Sequence, residues 1–357
     1  MILRVLDPIS PASHLFDNGP RSISAVRVLR ISMTDRCNYR CVYCMPEAGV
    51  PWLAKQNLLT AAEITQVARA AMQIHGINRF KLTGGEPTVR PDLLDLIRAL
   101  RDEGAEDLSM TTNGQLLASL AKPLRQAGLD RLTVSIDSLQ PEKFRRITRT
   151  GNLSAVLAGL AEAEAAGFSS IKINCVTMRG VNDDELAEFA RLTLTRRITV
   201  RFIEYMPLGD AAVMHTGPAA GCAGQDRGDD VLVPEPVARE IIEQELGPLI
   251  PVDRQSESGV GPATVWQLAL GRPRGRIGFI SAMSAPFCST CNRLRLTADG
   301  LLRSCLFDGG EIDLKPILRN GTGDRSPAIA DAMTECIRLK PDLHSHHGNQ
   351  QMSRIGG

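Results

Sequence analysis

The chain has 357 residues, 43% of them apolar and 23% charged, with a formal net charge of +1. That length supports a large core, as one big α/β domain or two ordinary ones. The composition rules out wholesale disorder, and a charge so near zero argues against a polynucleotide partner, although a small anionic substrate needs only a local basic cluster. No stretch reaches the ~20 apolar residues that cross a bilayer. The N-terminal segment has no apolar signal region and contains Pro8, Pro11 and Pro20. The expectation is a cytoplasmic protein, in which nine cysteines point to metal binding or catalysis before disulfides.

From about residue 27 strands and helices alternate. "VRVLRISM" (Val26 to Met33) is an apolar, β-branched run. After a long cysteine loop, "TAAEITQVARAAMQIHG" opens on a Thr with Glu three residues on, a capping box, and closes on Gly. Strands follow at "RFKLTGGEP", "LSMTTNG", "RLTVSID", "IKINCVTM" and "TVRFIEYMP", each separated from the next by a helical pattern. Six such units predict a parallel sheet of the barrel or doubly wound kind, whose ligands gather at the C-terminal strand ends. The cysteine loop, Gly84-Gly85-Glu86-Pro87, Thr111-Thr112-Asn113, and Ser135 with Asp137 all fall at that end. Near residue 210 a stretch rich in Gly, Ala and Asp loses periodicity and reads as a surface insertion. A helix near Val237 to Leu246 and strand-like "TVWQLAL" and "GRIGFISAM" come after it.

"DRCNYRCVYCMPEAG" carries Cys37, Cys41 and Cys44 as C-x3-C-x2-C. That spacing also marks one face of a helix, but the flanking Thr34-Asp35, Pro46, Gly49 and Pro51 are loop residues. A structural zinc site wants four ligands, and so does a [4Fe–4S] cluster held wholly by protein. Three thiolates leave one iron of such a cluster open to bind a small molecule. "FCSTCNRLRLTADGLLRSC" repeats the omission with Cys288, Cys291 and Cys305 as C-x2-C-x13-C. Arg293 and Arg295 lie just beyond Cys291.

The first motif, with Tyr43 before its last cysteine and GGEP at the next strand end, resembles the signature of radical S-adenosylmethionine (SAM) enzymes. This resemblance implies a partial (βα)6 TIM-like barrel and reductive cleavage of SAM to a 5′-deoxyadenosyl radical. Glycines there suit close approach to a ligand, and an acidic side chain suits the methionine ammonium. From about Arg30 to Gly357 the chain resembles, more narrowly, the GTP 3′,8-cyclases of molybdenum cofactor biosynthesis. The matching stretches include "RFIEYMPLG", "CSTCNRLRLTADGLLRSCL" and the terminal "MSRIGG".

That family resemblance implies two [4Fe–4S] clusters, the second contacting guanine through its open iron. It implies SAM contacts at Tyr43, Gly85, Ser135 and Met206. GTP contacts are implied at Arg30, Lys81, Thr111, Lys172, Arg293, Leu294 and Arg295, with Lys81 replacing the family's usual arginine and its bidentate fork. Catalytic roles are implied for Arg293, Arg295, Gly356 and Gly357, the Gly-Gly tail reaching into the barrel. The reaction implied removes hydrogen from C3′ of the GTP ribose, and the carbon radical then attacks C8 of guanine. An electron donor and the next pathway enzyme, cyclic pyranopterin monophosphate synthase, are the implied partners, and a homodimer stays open.

The expected organisation is an extension at 1–25, the barrel at 26–209, an insertion at 210–232, and a C-terminal region at 233–357 holding the second cluster and the GTP site. Another radical enzyme with an auxiliary cluster, and a zinc-binding structural or regulatory protein, are the alternatives. Cys175, mid-strand, reads as a buried apolar residue. Cys222 and Cys336 have no partner at ligand spacing. His344, His346 and His347 read as a polar tail rather than a metal site, and a terminal Gly-Gly is by itself more often frayed.

Overall fold

The structure is a computed structural model that describes residues 19–208, 231–253, 261–308, 310–321, 323–345 and 355. The insertion with Cys222, His346, His347, Gly356 and Gly357 therefore lie outside the described residues.

Six strands form the centre: β1 Val28–Ser32, β2 Arg79–Thr83, β3 Asp107–Thr112, β4 Arg131–Ser135, β5 Ile171–Thr177 and β6 Ile198–Glu204. Each pairs in parallel with the next. The crossovers carry helices α1 Ala61–His75, α2 Leu93–Asp102, α3 Leu117–Gln126, α4 Pro141–Thr148, α5 Leu153–Ala165 and α6 Leu186–Thr195. The expected capping box is present. The Thr60 hydroxyl accepts from Glu63 N, Glu63 accepts from Thr60 N, and Gly76 ends α1 at φ 65°. Helix α4 has no counterpart in the sequence reading. It is eight residues long, starts on Pro141 and buries only one face, Phe144 and Ile147 among it, too little to set up a visible period.

The second part of the chain extends this sheet at both edges. After α7 (Glu235–Leu246), β7 Leu249–Pro251, β8 Thr264–Leu268 and β9 Arg276–Ile280 attach through β9, parallel to β6. Strands β10 Arg293–Leu296, β11 Leu301–Arg303 and β12 Glu311–Asp313 attach through β10, parallel to β1. The result is one twelve-stranded sheet in the order β12-β11-β10-β1-β2-β3-β4-β5-β6-β9-β8-β7. Helices α8 Lys315–Asn320 and α9 Ser326–Arg338 follow, and α9 packs on α1. One hydrophobic core runs from Val26 to Ile337 across this sheet.

The alternation along the strands positions the site. One face of β1 to β6 is apolar and packs on the helices: Leu29, Ile31, Phe80, Leu82, Met110 and Val200 are all 1% exposed or less. A parallel strand buried on both faces ordinarily reads as a continuous apolar run. Here the other face carries Arg30, Lys81, Thr111, Thr133, Lys172 and Arg201, and these line a cavity of about 350 Å³. Polar side chains on the inward face of a parallel barrel mark it as a ligand chamber.

Candidate active site

The first cysteine loop is built against the start of the loop that follows β2. Gly85 N donates to Thr34 O at 2.7 Å and Glu86 N to Arg36 O at 2.8 Å. The two backbones lie so close that a Cβ on Gly85 would sit 2.2 Å from Arg36 O, and one on Gly84, at φ 141°, 2.6 Å from Thr34 O. The glycines thus serve the approach of one chain segment to another, and both also line the cavity. The loop is clamped from its far side. Arg149 donates from Nη1 to Arg40 O and Met45 O, both at 2.9 Å, and so ties the two ends of the stretch that holds Cys41 and Cys44. It does so from a backbone at φ 61°, a conformation a side-chain-bearing residue adopts only when its surroundings enforce it.

Glu86 also has a different employment from the one its motif suggests. Its carboxylate is 1% exposed. It accepts from Thr88 N at 3.0 Å, Thr88 Oγ1 at 2.6 Å, Thr112 Oγ1 at 2.6 Å and Asn113 N at 2.7 Å. Two carboxylate oxygens have about four acceptor sites, so these donors use its capacity. Glu86 thereby locks the ends of β2 and β3 together at the edge of the cavity, which it also lines.

Cys37, Cys41 and Cys44 face one another at the cavity wall. Burial pushes the Cys37 thiol up to about 11 and Cys44 up to about 12, and raises Cys41 well above the ordinary thiol range. The charges of their neighbours oppose ionisation further, Asp137 among them for Cys41 and Cys44. Without a positive centre these are thiols; iron would hold them as thiolates. Among the described residues no three His, Cys, Asp or Glu side chains gather tightly enough for a single metal ion. A four-iron cube distributes its thiolate ligands over separate corners and asks for a wider spread. Three sulfurs lining one cavity, with no fourth thiol beside them among the described residues, fit that donor set.

Around this recess lie the residues expected to meet SAM. Tyr43, Gly85, Ser135 and Met206 all line the cavity. Tyr43 is oriented by its hydroxyl, which donates to Asp137 Oδ2 at 2.7 Å. Asp137 in turn accepts from Val176 N at 2.9 Å, and its pKa, raised by burial against the pull of these two bonds, stands at about 6.

The second triad lines the same cavity from the start of β10, the end opposite to the first cysteine loop on neighbouring β1. Cys288 and Cys291 bracket a short 3₁₀ turn before β10, and Cys305 follows β11. Burial raises the Cys288 thiol. At Cys291 burial also raises the pKa, but Arg293 and Lys340 outweigh it and bring the thiol down to about 7. Arg293 lies with its guanidinium 5.0 Å from the centre of the Phe287 ring and donates to Cys291 Sγ at 3.8 Å. Glu204, at the end of β6, fixes the approach to this triad by accepting from Met283 N at 2.8 Å and Ser284 N at 2.9 Å.

Between the two triads the cavity is basic. Arg295, Arg30 and Lys81 stand side by side on β10, β1 and β2, with Lys172 and Arg201 across the chamber. Burial lowers the pKa of Arg30 and Lys81 well below their usual values, and neighbouring cations lower them further: Arg295, Arg293 and Arg201 at Arg30, then Arg201, Arg30, Lys172 and Arg131 at Lys81. Burial with Arg293 beside it brings Arg295 down to about 9. Thr133 Oγ1 accepts from Lys81 Nζ at 3.4 Å and from Arg201 Nη2 at 3.3 Å. Thr111 Oγ1 and Asn174 Oδ1 are buried with no hydrogen-bond partner in the structure. A set of mutually repelling cations beside the Thr111 hydroxyl, a potential donor, is what a polyanionic ligand would stabilise.

The described residues singled out for the site in the sequence thus meet in one chamber, with one exception in kind; Gly356 and Gly357 lie outside the described residues. Leu294 is fully buried in the core on the outer face of β10, so only its main chain can reach a ligand. Cys175 is a buried core residue, as expected. His344 departs from expectation. It is 6% exposed, stacks on Phe307 at 4.0 Å between ring centres, and its Nε2 meets Ala282 O at 2.8 Å. It belongs to the chamber wall and not to a free tail. Arg201, Asn174 and Lys340 were missed; the alternation of the β5 and β6 strands could have placed the first two on the inward face.

Comparison with known proteins agrees with this arrangement. The Radical SAM superfamily matches residues 31–193, and the Molybdenum Cofactor Synthesis C family matches residues 198–346. The GTP 3′,8-cyclase of Pelotomaculum thermopropionicum is 45% identical, the match covering 93% of this chain and 98% of that protein. That of Moorella thermoacetica is 43% identical with the same coverage, 93% and 98%. Among solved structures, Streptococcus suis SuiB bound to S-adenosylmethionine has a TM-score of 0.55 at 14% identity, covering 88% of this chain and 68% of that one; this likeness bears on the fold alone. With two cysteine triads lining one basic barrel, and near full-length identity above 40% to those two enzymes, the chain belongs to the GTP 3′,8-cyclase family of the radical SAM superfamily.

Proposed function

We propose that this chain converts GTP to (8S)-3′,8-cyclo-7,8-dihydroguanosine 5′-triphosphate, using SAM and two [4Fe–4S] clusters, as an early step of molybdenum cofactor biosynthesis. The observation that carries the reading is the placement of both triads on one chamber with a basic patch between them. Cys37, Cys41 and Cys44 would hold the first cluster, and Cys288, Cys291 and Cys305 the second. When bound, the first supplies the electron that cleaves SAM to a 5′-deoxyadenosyl radical, and the second presents an iron to the base.

The chain's own residues position and shield. Tyr43, Gly85, Ser135 and Met206 surround the SAM side of the chamber. Arg30, Lys81, Lys172, Arg201 and Arg295 draw the triphosphate to the middle, where the unpartnered Thr111 hydroxyl can donate to a phosphate oxygen. Arg293 stands between phosphate and base. A GTP so held would turn ribose C3′ towards the SAM side and bring guanine C8 within reach of it for ring closure. Holding both ends makes the cyclisation intramolecular, and a chamber closed on its sides keeps water from a reactive carbon.

Anaerobic purification should give about eight irons per chain, two four-iron clusters, and SAM consumption that depends on GTP. Colourless protein with stoichiometric zinc would overturn the reading.

Three smaller proposals go with it. Arg201 is a triphosphate ligand: Arg201→Ala should raise KM for GTP by roughly 10- to 100-fold, the worth of one charge-assisted hydrogen bond, with Arg201→Lys recovering part. An unchanged KM would remove it from the site. The Gly356-Gly357 tail completes the site, a reading supported by Ile355, which is 1% exposed. Deleting both glycines should abolish cyclisation with both clusters kept, and normal turnover by the truncated chain would count against it. Finally, we place the protein in the cytoplasm, where all eight described cysteines would stay free, receiving electrons from a separate donor and passing its product to cyclic pyranopterin monophosphate synthase. No helix among the described residues is long and apolar enough to cross a membrane.

A further inference from the structure

Lys340 follows α9, near the end of the described chain, and is 3% exposed. A buried lysine is costly unless its three donors find partners. These do: Nζ lies 3.1 Å from Cys291 O, 3.1 Å from Arg293 O and 3.6 Å from Cys291 Sγ. The ammonium is therefore held against one sulfur by two carbonyls of the same loop. Arg293 reaches that sulfur as well, at 3.8 Å.

The two triads differ in this respect. Acidic groups press on the first: Asp137 on Cys41 and Cys44, and Glu86 on Cys37, where Arg40 opposes it. Two cations aim at Cys291 in the second. In iron–sulfur proteins, hydrogen bonds to the ligand sulfur and the local charge are what move a cluster's reduction potential.

We propose that Lys340 is a positioning residue for the second cluster, which sets that cluster's reduction potential through its N–H···S contact and its positive charge at Cys291. The proposal rests on the assignment of Cys288, Cys291 and Cys305 to a [4Fe–4S] cluster. A cation against a thiolate ligand favours the reduced cluster, which carries one more negative charge. Lys340 thus raises the potential of the second cluster and leaves the first unaffected. Its two carbonyl contacts keep the ammonium at that sulfur and away from the phosphate ligands across the chamber, so its role is electronic and not substrate binding.

The test compares the wild type with Lys340→Arg, Lys340→Gln and Lys340→Met, each reconstituted to eight irons. The two clusters are titrated separately by electron paramagnetic resonance, with Cys37→Ala and Cys291→Ala backgrounds used to assign the signals. The second cluster's potential should fall in Lys340→Gln, fall further in Lys340→Met, where the donor is lost too, and stay near the wild type in Lys340→Arg. The first cluster's potential, and SAM cleavage driven by an artificial reductant in the Cys291→Ala background, should not change. Equal second-cluster potentials in all four proteins would overturn the proposal. So would a shift of both clusters together, or loss of the second cluster's iron from both the Gln and the Met variant, which would make Lys340 a structural strut. Failure of the underlying assignment is distinguishable, because wild-type protein would then show only one cluster signal.

Discussion

Gly85→Ala should empty the first centre while leaving the second loaded. The iron content falls from about eight to about four per chain, and SAM cleavage is lost. The physical reason is a collision between backbones. A Cβ at position 85 would lie 2.2 Å from Arg36 O, 2.5 Å from Arg36 C and 2.7 Å from Asp35 O. None of these is the tip of a side chain that could swing aside. Relief requires Asp35 and Arg36 to withdraw, which breaks the bonds from Gly85 N to Thr34 O and from Glu86 N to Arg36 O. Overpacking of this kind costs roughly 1–3 kcal/mol, a sum a chain with so large a shared core can bear without unfolding. Cys37 is the residue directly after Arg36, so the displacement is delivered to the first ligand. Asp35 also accepts from Leu53 N at 2.5 Å, so the far end of the loop moves with it. Iron analysis, together with the thermal midpoint of the apoprotein, checks this. Full iron loading and normal SAM cleavage in Gly85→Ala would show that the close approach is dispensable.

This result also bears on how a motif should be understood. Gly84, Gly85 and Glu86 announce a ligand site when read as a string, and the site is indeed there. Yet the contacts they make are with the protein: the glycines admit the cysteine loop, and Glu86 collects four donors from the β2 and β3 ends. A string of residues cannot distinguish these employments, because both require small residues and a carboxylate at one strand end.

Elsewhere the sequence was informative where the physics is local. Six inner strands could be found because each is an apolar run closed by turn residues, and α1 because its capping box is contiguous. Both cysteine triads were visible because all their ligands lie within nineteen residues or fewer of sequence. What escaped depends on distant pairing. Arg201 sits inside "TVRFIEYMP", where alternation sets it apart from Val200 and Phe202, but its place beside Thr133 and the other cations comes from the pairing of β6 with β5 and β9. Lys340 and His344 come from the far end of the chain and reach the second triad only because α9 docks on α1. Helix α4 was invisible because eight residues with one buried face carry too little period.

Cys291→Ala should separate the two halves of the reaction. The variant keeps the first cluster and cleaves SAM whether or not GTP is present, and it yields no detectable cyclic product. Cys37→Ala should do the reverse, holding about four irons at the second centre and cleaving no SAM. The triads are built on different elements, the first on the loop joining β1 to α1 and the second on β10, β11 and the turn before them, so loss of one need not disturb the other. Loss at Cys291 is more damaging than at a passive ligand. Its sulfur is the atom on which Arg293 and Lys340 converge, and removing it leaves those two cations facing each other. Lys340 keeps its two carbonyl contacts, but Arg293, relieved of the sulfur, shifts towards the phosphate patch at Arg295 and Arg30 and adds to the repulsion already present there. Affinity for GTP should then survive in part, through the triphosphate, while its orientation is lost. Calorimetric binding of GTP, set beside the absence of product, distinguishes this from a collapsed chamber. Product formation by Cys291→Ala at a rate near that of the wild type would show that the second triad does not hold the base.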